Sequence, residues 1–499
     1  MPAPAVPDVL DLSHLTLDSF AGRRVAVLGL ARSGVALTRF LHDRGAIVTV
    51  YDARSSAELA PQIALLDGRG VRLLLGPDVE PRTALEGQAL ITTSPSINWR
   101  YPTTEQRMRD ALRTAEEQGS PVVSEIDLFL RLCPATTVGV TGTKGKTTTS
   151  SLVAAVLAAG RRRTILGGNI GTPLVERLPE LTPDDVVVVE LSELQLPTIS
   201  RGTDVSVYTH VTSDHLDRHG TVEAYRAAKR RLAELTAADG RLVLNAEDSV
   251  SAAFADDSPA EAVYYRRDLP PPGGVGVNDE WIVADRVATL DGGTAMTGPG
   301  GRILPLGEVQ LRGTHNTSNV LAAVTAALLF GISPDAIRRV VADFRAVEHR
   351  LEYVATIDDV DFINDSQGTQ PDAVIAALQS FDRPLVLIAG GRTKNLPLAE
   401  LAGVVQERAT SVVLIGESRP EMRAALEEAG TQRLHEADDL DSAVRTAYEI
   451  ARAELAAGSP APATVLLSPA ATSFDMFVDY AARGAAFKAA VANLKAQPS

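Results

Sequence analysis

The stretch "GVTGTKGKTTTS", residues 139–150, comes close to the phosphate-binding pattern G-x-x-x-x-G-K-[ST]. Gly145, Lys146 and Thr147 fit the pattern, but Val140 stands where its first glycine should be. An apolar, strand-like run precedes the stretch and a helical pattern follows it, which is the setting that a phosphate loop requires. Lys146 can neutralise phosphate charge, and the Thr147 hydroxyl can bind magnesium. The sequence therefore predicts a nucleotide loop with its own glycine spacing, the alternative being a solvated Gly/Lys turn.

The composition of the chain limits the classes of function. Its 499 residues predict roughly two to four domains, and a net charge of −15 argues against a general nucleic-acid or membrane surface. Cys133 is the only cysteine, so no internal disulfide can form and a reducing compartment fits. The start, "MPAPAVPDVLDLSHL", lacks the basic and apolar regions of a signal peptide, and no apolar run is long enough to span a bilayer. We therefore expect a cytoplasmic protein.

Strand-like and helix-like segments alternate in three blocks along the chain. The first block opens with strand, glycine turn, helix and strand at 23–54. The second begins with the strand-like run at 136–142 and carries a Pro/Gly-rich stretch at 269–309, which predicts loops and hairpins. The third follows "FRAVEHRLEYV" at 344–354 and alternates again. This alternation predicts an α/β fold of parallel sheets with helices on both faces.

The glycine turn of the first block reads G-L-A-R-S-G at 29–34, and Asp52 ends the next strand. It resembles a dinucleotide-binding fingerprint in which Ala31 replaces the second glycine. A strand that feeds the N-terminus of a helix presents free N–H groups to a diphosphate. From these residues alone, NAD and another nucleotide are equally good candidates.

Acidic and histidine side chains follow two strand-like runs of the second block. Glu190 ends "VVVVE" and is suitably placed to bind magnesium, although a structural charge at a strand end is an equal alternative. "TSDHLDRH" crowds Asp214, His215, Asp217 and His219 together, as metal ligands often are. The alternative for this group is a capped loop whose side chains bond nearby N–H groups.

The helix predicted after this loop has an apolar face formed by Tyr225, Ala228, Leu232 and Leu235. Lys229 lies about 40° from Tyr225, at the edge of that face. A lysine there can extend its amine to solvent. Alternatively, burial lowers the pKa of the amine and leaves a neutral nucleophile. Such an amine could add carbon dioxide and, as a carbamate, become an anionic oxygen ligand for magnesium.

Further polar groups stand at predicted helix starts and strand ends, where open α/β sheets bind ligands. These groups are His315, Asn316, Asn319, His349, Arg350, Asn364, Asp365, Ser366, Lys394 and Ser473. The asparagines at the helix start are either caps or readers of a base edge.

The motifs "TGTKGKTTT", "VVELS", "TSDHLDRH…YRAAK", "GTHNTSNVLAA", "HRLE", "INDS", "AGGRTK" and "SPAATSFD" occur in an order and spacing that resemble the Mur ligases. The resemblance runs from about residue 23 to 494. It implies three domains, each built on a mainly parallel sheet with flanking helices. They would be a Rossmann-like UDP-binding domain at 1–133, a P-loop-type ATP-binding domain at 134–345, and a Rossmann-like domain for the incoming amino acid at 346–499.

The activity that the resemblance implies is ATP-dependent amide synthesis. D-glutamate would be joined to UDP-N-acetylmuramoyl-L-alanine through an acyl phosphate, in cytoplasmic peptidoglycan precursor synthesis. The implied cofactors are ATP, two Mg²⁺ ions and a CO₂-derived carbamate on Lys229. The expected partners are these small molecules, with no nucleic acid and no membrane, and the chain is expected to be a monomer.

The resemblance also implies roles for individual residues. The catalytic set would be Lys146, His215 and Lys229, and the metal ligands would be Thr147, Glu190, His215 and Lys229. ATP would be bound by Gly142, Thr143, Lys144, Gly145, Lys146, Thr147, Thr148, Asn319, Arg350 and Asp365. The UDP substrate would be bound by Leu30, Ala31, Arg32, Ser33, Asp52, Arg54, Asn169 and Ser192. The amino acid would be bound by Thr369, Lys394, Ser473 and Tyr480.

Three positions depart from the pattern of the family. Gln367 stands where a lysine is common, Glu193 where a serine is common, and Ser96 where a glycine is common. These changes leave open a sibling ligase that adds another amino acid, such as L-glutamate or a diamino acid. An NAD-dependent dehydrogenase built on 23–54 and a non-enzymatic ATP-binding switch are the alternatives from other classes.

Overall fold

The computed structural model describes residues 9–95, 97–101, 104–170, 172–212, 219, 221–311, 313–345, 348–378, 381, 384–392 and 398–496. The chain forms two compact units, Met1–Phe344 and Arg345–Ser499. Three sheets are present in the described part, two in the first unit and one in the second.

The first sheet is parallel throughout, with the strand order β3-β2-β1-β4-β5. Its strands are β1 (Arg24–Leu28), β2 (Ile47–Asp52), β3 (Arg72–Leu75), β4 (Leu90–Thr93) and β5 (Val122–Ser124). Its helices are α1 (Arg32–Asp43), α2 (Ala60–Ala64), α3 (Arg82–Leu85), α4 (Gln106–Glu117) and α5 (Glu125–Leu132). The short apolar run of β1 is buried after its first residue, as expected for an inner strand covered on both faces.

The central sheet has the order β14-β13-β12-β11-β10-β9-β6-β8-β7 among the described residues. Its strands are β6 (Thr136–Thr141), β7 (Thr164–Gly168), β8 (Val186–Glu190), β9 (Val205–Tyr208), β10 (Arg241–Asn245), β11 (Glu261–Tyr265), β12 (Val275–Asn278), β13 (Trp281–Ala284) and β14 (Arg302–Pro305). The α-helices are α6 (Lys146–Ala158), α7 (Val222–Leu235), α8 (Ser249–Ala252), α9 (Thr314–Leu329) and α10 (Pro334–Asp343). Shorter 3-10 helices occupy Leu174–Glu180, Leu196–Thr198, Ala253–Asp257, Pro299–Gly301 and Leu306–Glu308. The strands β12, β13 and β14 pair antiparallel at one edge, so the Pro/Gly-rich stretch forms hairpins as predicted.

The second unit contains a sheet with the order β15-β16-β20-β17-β18-β19. Its strands are β15 (Glu352–Ile357), β16 (Val360–Asn364), β17 (Leu385–Gly390), β18 (Ser411–Ile415), β19 (Leu434–Glu436) and β20 (Ala463–Leu467). Its helices are α11 (Pro371–Leu378), α12 (Ala399–Arg408), α13 (Arg419–Glu428), α14 (Leu440–Ala456) and α15 (Tyr480–Ala496). Only β15 runs antiparallel to its described neighbour.

The two sheets of the first unit share one hydrophobic core. Val27 and Phe129 from the first sheet and its helices belong to the same buried cluster as Leu174 and Val187 of the central region. The predicted α/β class with three mainly parallel sheets is confirmed. None of the described helices is both long and apolar enough to cross a membrane.

Candidate active site

The loop between β6 and α6 consists of the four residues 142–145. Gly142 has φ +148° and Gly145 has φ +85°, conformations that favour glycine. A Cβ at Gly142 would also overlap Oγ1 of Thr209, so a glycine is required there. Gly142 is therefore the first glycine of the loop, while Val140 is a buried residue of β6. Strand, glycine loop and helix N-terminus follow one another as in an anion-binding loop.

Lys146 is the first residue of α6, and its Nζ donates a hydrogen bond to the carbonyl oxygen of Thr143 at 2.9 Å. This bond holds the amine against the loop that precedes the helix. Thr147, which comes next, is buried, whereas Thr148 is half-buried and Lys144 is exposed. The cation and the helix N-terminus together suit a polyphosphate.

Glu190 is buried where β8 ends, and both of its carboxylate oxygens have polar neighbours. Asn169 donates its Nδ2 to Oε1 at 2.9 Å, and Ser150 donates its Oγ to Oε2 at 3.4 Å. The same Ser150 hydroxyl lies 3.2 Å from the carbonyl oxygen of Thr147, so Glu190 adjoins the first turn of α6. A carboxylate and the Thr147 hydroxyl are hard oxygen ligands of the kind that magnesium prefers.

Lys229 on α7 has no exposed surface, so its amine does not extend to solvent. Its Nζ donates to Oγ1 of Thr141 at 3.3 Å and lies 5.6 Å from the centre of the Tyr225 ring. The Tyr225 hydroxyl is 2.8 Å from Oγ1 of Thr143. The lysine is therefore placed beside the strand end and the loop that would hold the phosphates. A buried amine in that position fits the chemistry of a carbamate.

Part of the predicted metal site lies outside the described residues, namely Asp214, His215 and Asp217. His219 is described, and its ring centre is 5.4 Å from that of Tyr225. Within the described ranges no group of three His, Cys, Asp or Glu side chains is arranged to hold a metal. The ligand role of His215 stays a prediction.

The start of α9 packs against the phosphate loop. Asn319 is buried and donates its Nδ2 to Oδ1 of Asn316 at 3.0 Å. A Cβ at Gly145 would overlap Oδ1 of Asn319, which shows how closely the two segments approach. The pKa of His315 is lowered, mainly because the side chain is buried and to a smaller extent because the positive charge of Lys144 is near. These polar groups border the phosphate loop, and the role of Asn319 in binding the nucleotide stays a prediction.

The glycine turn of the first sheet is held by Asp52. Its carboxylate accepts from the N–H of Leu30 at 2.8 Å and from the Arg54 side chain at 2.7 and 3.0 Å. Desolvation alone would raise the pKa of Asp52, but the bonds from Arg54 and Leu30 outweigh it and leave the pKa lowered. Ala31 and Arg32 are exposed where α1 begins, and Ser33 is half-buried. The turn thus presents a helix N-terminus and two arginines, Arg32 and Arg54, which suits a diphosphate.

Two other residues predicted to contact the UDP substrate are engaged within the protein. Asn169 bonds Glu190, as described above. Ser192 is buried, and its N–H and Oγ lie 3.0 and 3.1 Å from Oε1 of Gln195. Glu193 is buried next to it. Both predicted contacts are therefore close to the end of β8, and their roles stay predictions.

In the second unit, Asp365 is buried where β16 ends. It accepts from Oγ of Ser468 at 2.6 Å and from the N–H of Leu351 at 3.2 Å. His349 and Leu351, which flank Arg350, have φ values of +65° and +44°. Left-handed non-glycine residues are strained and are found often at functional sites. The structure thus brings the Arg350 segment against Asp365, the pair predicted to contact the nucleotide.

Burial raises the pKa of Asp365 to about 6, against the opposing effects of Ser468 and Arg350. A raised carboxyl pKa stabilises the fold below about pH 4, and this stabilisation is lost as the pH rises through about 6. We expect the free energy of unfolding of wild-type protein to fall by on the order of 2–3 kcal/mol over this range, relative to Asp365→Asn. Urea unfolding of both proteins at several pH values, monitored by hydrogen exchange in β16, measures how the free energy of unfolding of each depends on pH. Equal pH slopes in the two proteins would contradict it.

The residues predicted to bind the amino acid lie in the same unit, except that Lys394 is outside the described residues. Ser473 is buried, Thr369 is half-buried and Tyr480 is 42% exposed. The carbonyl oxygen of Tyr480 accepts from Oγ of Ser366 at 2.8 Å, which ties the start of α15 to the end of β16.

The sequence analysis missed Arg483, a buried arginine on α15. Its guanidinium donates to Oγ and the carbonyl oxygen of Ser366 at 3.0 and 2.9 Å, and to the carbonyl oxygen of Ala471 at 3.2 Å. Arg483 therefore joins the loops after β16 and β20. An arginine in the otherwise apolar run "YAARGAAF" was the available signal.

The sequence of the chain matches known proteins. Residues 140–327 match the Mur ligase middle domain, and residues 349–471 match the Mur ligase glutamate ligase domain. The chain is 38% identical over 479 residues to UDP-N-acetylmuramoylalanine–D-glutamate ligase of Koribacter versatilis, covering 95% of this chain and 98% of that protein. It is 38% identical over 470 residues to the protein of the same name from Symbiobacterium thermophilum, covering 94% and 97%.

A solved structure shows the same fold at lower identity. UDP-N-acetylmuramate-alanine ligase of Thermotoga maritima has a TM-score of 0.52 and 18% identity, covering 95% of this chain and 99% of its own. The order of sheets, the phosphate loop and the near full-length relatives agree, and the chain belongs to the Mur ligase family.

Proposed function

We propose that the protein is an ATP-dependent ligase that joins D-glutamate to UDP-N-acetylmuramoyl-L-alanine, in the synthesis of peptidoglycan precursors. The observation that carries the proposal is the 38% identity to D-glutamate ligases over 95% of the chain. The phosphate loop with Lys146 and the buried Glu190 supports the use of ATP. We further propose that the enzyme acts as a cytoplasmic monomer on small-molecule substrates alone.

The reaction must activate a carboxylate. A carboxylate is a poor electrophile, and direct attack on it would have to expel hydroxide, which is a poor leaving group. The terminal carboxylate of UDP-N-acetylmuramoyl-L-alanine attacks the γ-phosphorus of ATP, forming an acyl phosphate and releasing ADP. The amine of D-glutamate then attacks the acyl carbon, loses a proton, and the tetrahedral intermediate expels phosphate. An anion must approach a polyanion in the first step, so positioning and charge neutralisation supply most of the catalysis.

Lys146 would supply one of the neutralising charges, by exchanging its bond to Thr143 for one to the β- and γ-phosphates. Thr147 and Glu190 would hold one magnesium ion, and His215 with carbamylated Lys229 would hold the other. When bound, these ions offset the repulsion between the two reacting anions. The buried position of Lys229, 3.3 Å from Thr141 at the end of β6, supports its place in this site.

The remaining predicted residues would bind the other parts of the substrates. Arg32 and Arg54, with the turn that Asp52 holds, would bind the UDP diphosphate, and Asn169 with Ser192 would contact the muramoyl-alanine part. Asn319, Arg350 and Asp365 would hold the nucleotide. The incoming amino acid would lie among Thr369, Lys394, Ser473 and Tyr480.

Mass spectrometry of the product tests the proposed function. We expect UDP-N-acetylmuramoyl-L-alanine, ATP and D-glutamate to give an adduct heavier by one glutamyl residue, with one phosphate released per adduct. A control without the UDP substrate should release almost no phosphate. Reduction of NAD, or ATP binding without turnover, would instead support the dehydrogenase or the switch.

A sibling ligase for a different amino acid is the second candidate. Gln367 follows Asp365 and Ser366, and its buried Oε1 has no hydrogen-bond partner among the described residues. Compared with the pattern of the family, Gln367 removes a positive charge and the buried Glu193 adds a negative one. Both changes alter the charge that the protein offers to its substrates. A parallel screen with L-glutamate and diamino acids distinguishes the candidates. A kcat/KM larger for one of these than for D-glutamate would identify it as the substrate in place of D-glutamate.

A further inference from the structure

Glu125 is a buried carboxyl group that the proposed chemistry leaves without a role. It is the first residue of α5, directly after β5, and is 2% exposed. Helix α5 packs against the 3-10 helix Leu174–Glu180, and so does α1. Glu125 therefore lies where the first sheet and the central sheet join.

The carboxylate of Glu125 caps that 3-10 helix. Its Oε1 accepts from the N–H of Val175 at 3.3 Å, and the N–H of Leu174 also interacts with the carboxylate. The residue before the helix is Pro173, which has no side-chain cap to offer. A residue from α5, a helix of the first sheet, thus supplies the acceptor that the first turn of this 3-10 helix needs.

The 3-10 helix that Glu125 caps follows Asn169, a residue of the candidate site, by five positions in the chain. The backbone N–H and the side chain of Asn169 both bond Glu190, at 2.9 Å each. Helix α1, which carries Arg32, packs against the same 3-10 helix and pairs its Arg39 with Glu176 of that helix at 3.3 Å. The 3-10 helix that Glu125 caps therefore lies between Asn169 and the helix that carries Arg32.

The charged groups with the largest effect on Glu125 are Arg32 and Glu176. Arg32 comes from α1, and Glu176 comes from the 3-10 helix, where it pairs with Arg39 of α1 at 3.3 Å. Burial raises the pKa of Glu125 to about 7, despite the bonds from the 3-10 helix and the attraction of Arg32. The carboxyl group therefore exchanges its proton close to neutral pH, and the protonated form is the weaker cap.

We propose that Glu125 is a positioning residue for the UDP substrate, because it caps the 3-10 helix that follows Asn169 in the chain and packs against the helix that carries Arg32. This inference rests on the proposed function, in which Asn169 and Arg32 contact opposite parts of that substrate. The ionised form of Glu125 holds this 3-10 helix in place. Affinity for the UDP substrate should consequently fall when Glu125 is protonated or replaced, and affinity for ATP should change much less, because Ser150 also bonds Glu190, at 3.4 Å.

Steady-state kinetics of the full-length enzyme from about pH 6 to about pH 8 test the proposal. In wild-type enzyme the KM for UDP-N-acetylmuramoyl-L-alanine should fall several-fold as the pH rises, although the substrate has no group that titrates in this range. Glu125→Gln should have a KM about tenfold higher at the upper pH and almost independent of pH, with kcat and the KM for ATP within about twofold of wild type.

Asp127→Asn is the matched control. Asp127 is a buried carboxylate on the same helix, but it bonds the N–H of Ser200 at 2.7 Å and Arg131 at 2.9 Å, not the 3-10 helix. The control should lower thermal stability while keeping the wild-type pH profile of KM.

Three outcomes would overturn the role of Glu125: an unchanged pH profile in Glu125→Gln, an equal change in Asp127→Asn, or a flat profile in wild-type enzyme. The last outcome decides the matter even where Glu125→Gln fails to fold. Failure of the proposed function is a separate result, since wild-type enzyme would then not turn over the UDP substrate at any pH.

Discussion

Lys229→Ala is expected to lower ligase turnover by about 10²- to 10³-fold or more, with ATP binding changed little. The side chain is fully buried and reaches Thr141 at the end of β6, so nothing nearby replaces it when it is removed. Phosphate release and product mass measure the loss. If the amine acts as a carbamate, added bicarbonate should restore part of the activity by offering an oxygen anion to the space left by the side chain.

Two further variants separate the chemistry of the amine from the damage of a cavity. Lys229→Met fills most of the volume without an amine and should be as inactive as Lys229→Ala. Arg230→Ala removes the neighbouring side chain of α7, which is 42% exposed and pairs with Glu234 at 3.1 Å, and should keep near wild-type activity. Full turnover by Lys229→Met would refute a chemical role for the lysine.

Lys146→Met is expected to lower kcat by about 10³-fold, because the charge that offsets the approach of carboxylate to γ-phosphate is removed. The helix N-terminus and Gly142 still cradle the nucleotide, so we expect ATP affinity to fall much less than kcat. Single-turnover phosphate release measures the chemical step, and calorimetric titration with a non-hydrolysable ATP analogue measures binding.

The control for this change is Arg161→Met, which removes an exposed cation beyond the opposite end of α6. It should leave both quantities within about twofold of wild type, because an exposed charge at that distance is screened by solvent and salt. Equal losses in the two variants would show that the effect comes from general electrostatics and not from contact with the phosphates.

Local sequence patterns were sufficient to predict those parts of the fold that are built from regular strand and helix motifs. The alternation of apolar strands and helices predicted the three sheets. The helical wheel placed Lys229 at the edge of the apolar face of α7 and left open whether its amine reaches solvent, and the structure shows that it is buried. The unusual spacing of the phosphate loop was also recognisable, although it took the positive φ of Gly142 to show which glycine opens it.

What the sequence could not show depends on contacts between distant segments. The strand β15 was not predicted, because it is a partly exposed edge strand that follows the left-handed residues His349 and Leu351. The bond from Asn169 to Glu190 depends on how a loop folds over a strand end. The contact between Glu125 and Val175 spans 50 residues and joins two sheets, so no local pattern could reveal it.

Because Phe129 and Val187 belong to one hydrophobic core, the first two sheets should melt in a single cooperative transition. The segment that matches the middle-domain model, 140–327, starts after α5 and so leaves out Phe129 and the other residues of the first sheet that belong to the same buried cluster as Leu174. Expressed alone, it would expose the remaining part of this cluster to water and aggregate. An isolated ATP-binding fragment of this enzyme therefore has to retain the residues before Cys133 in order to fold.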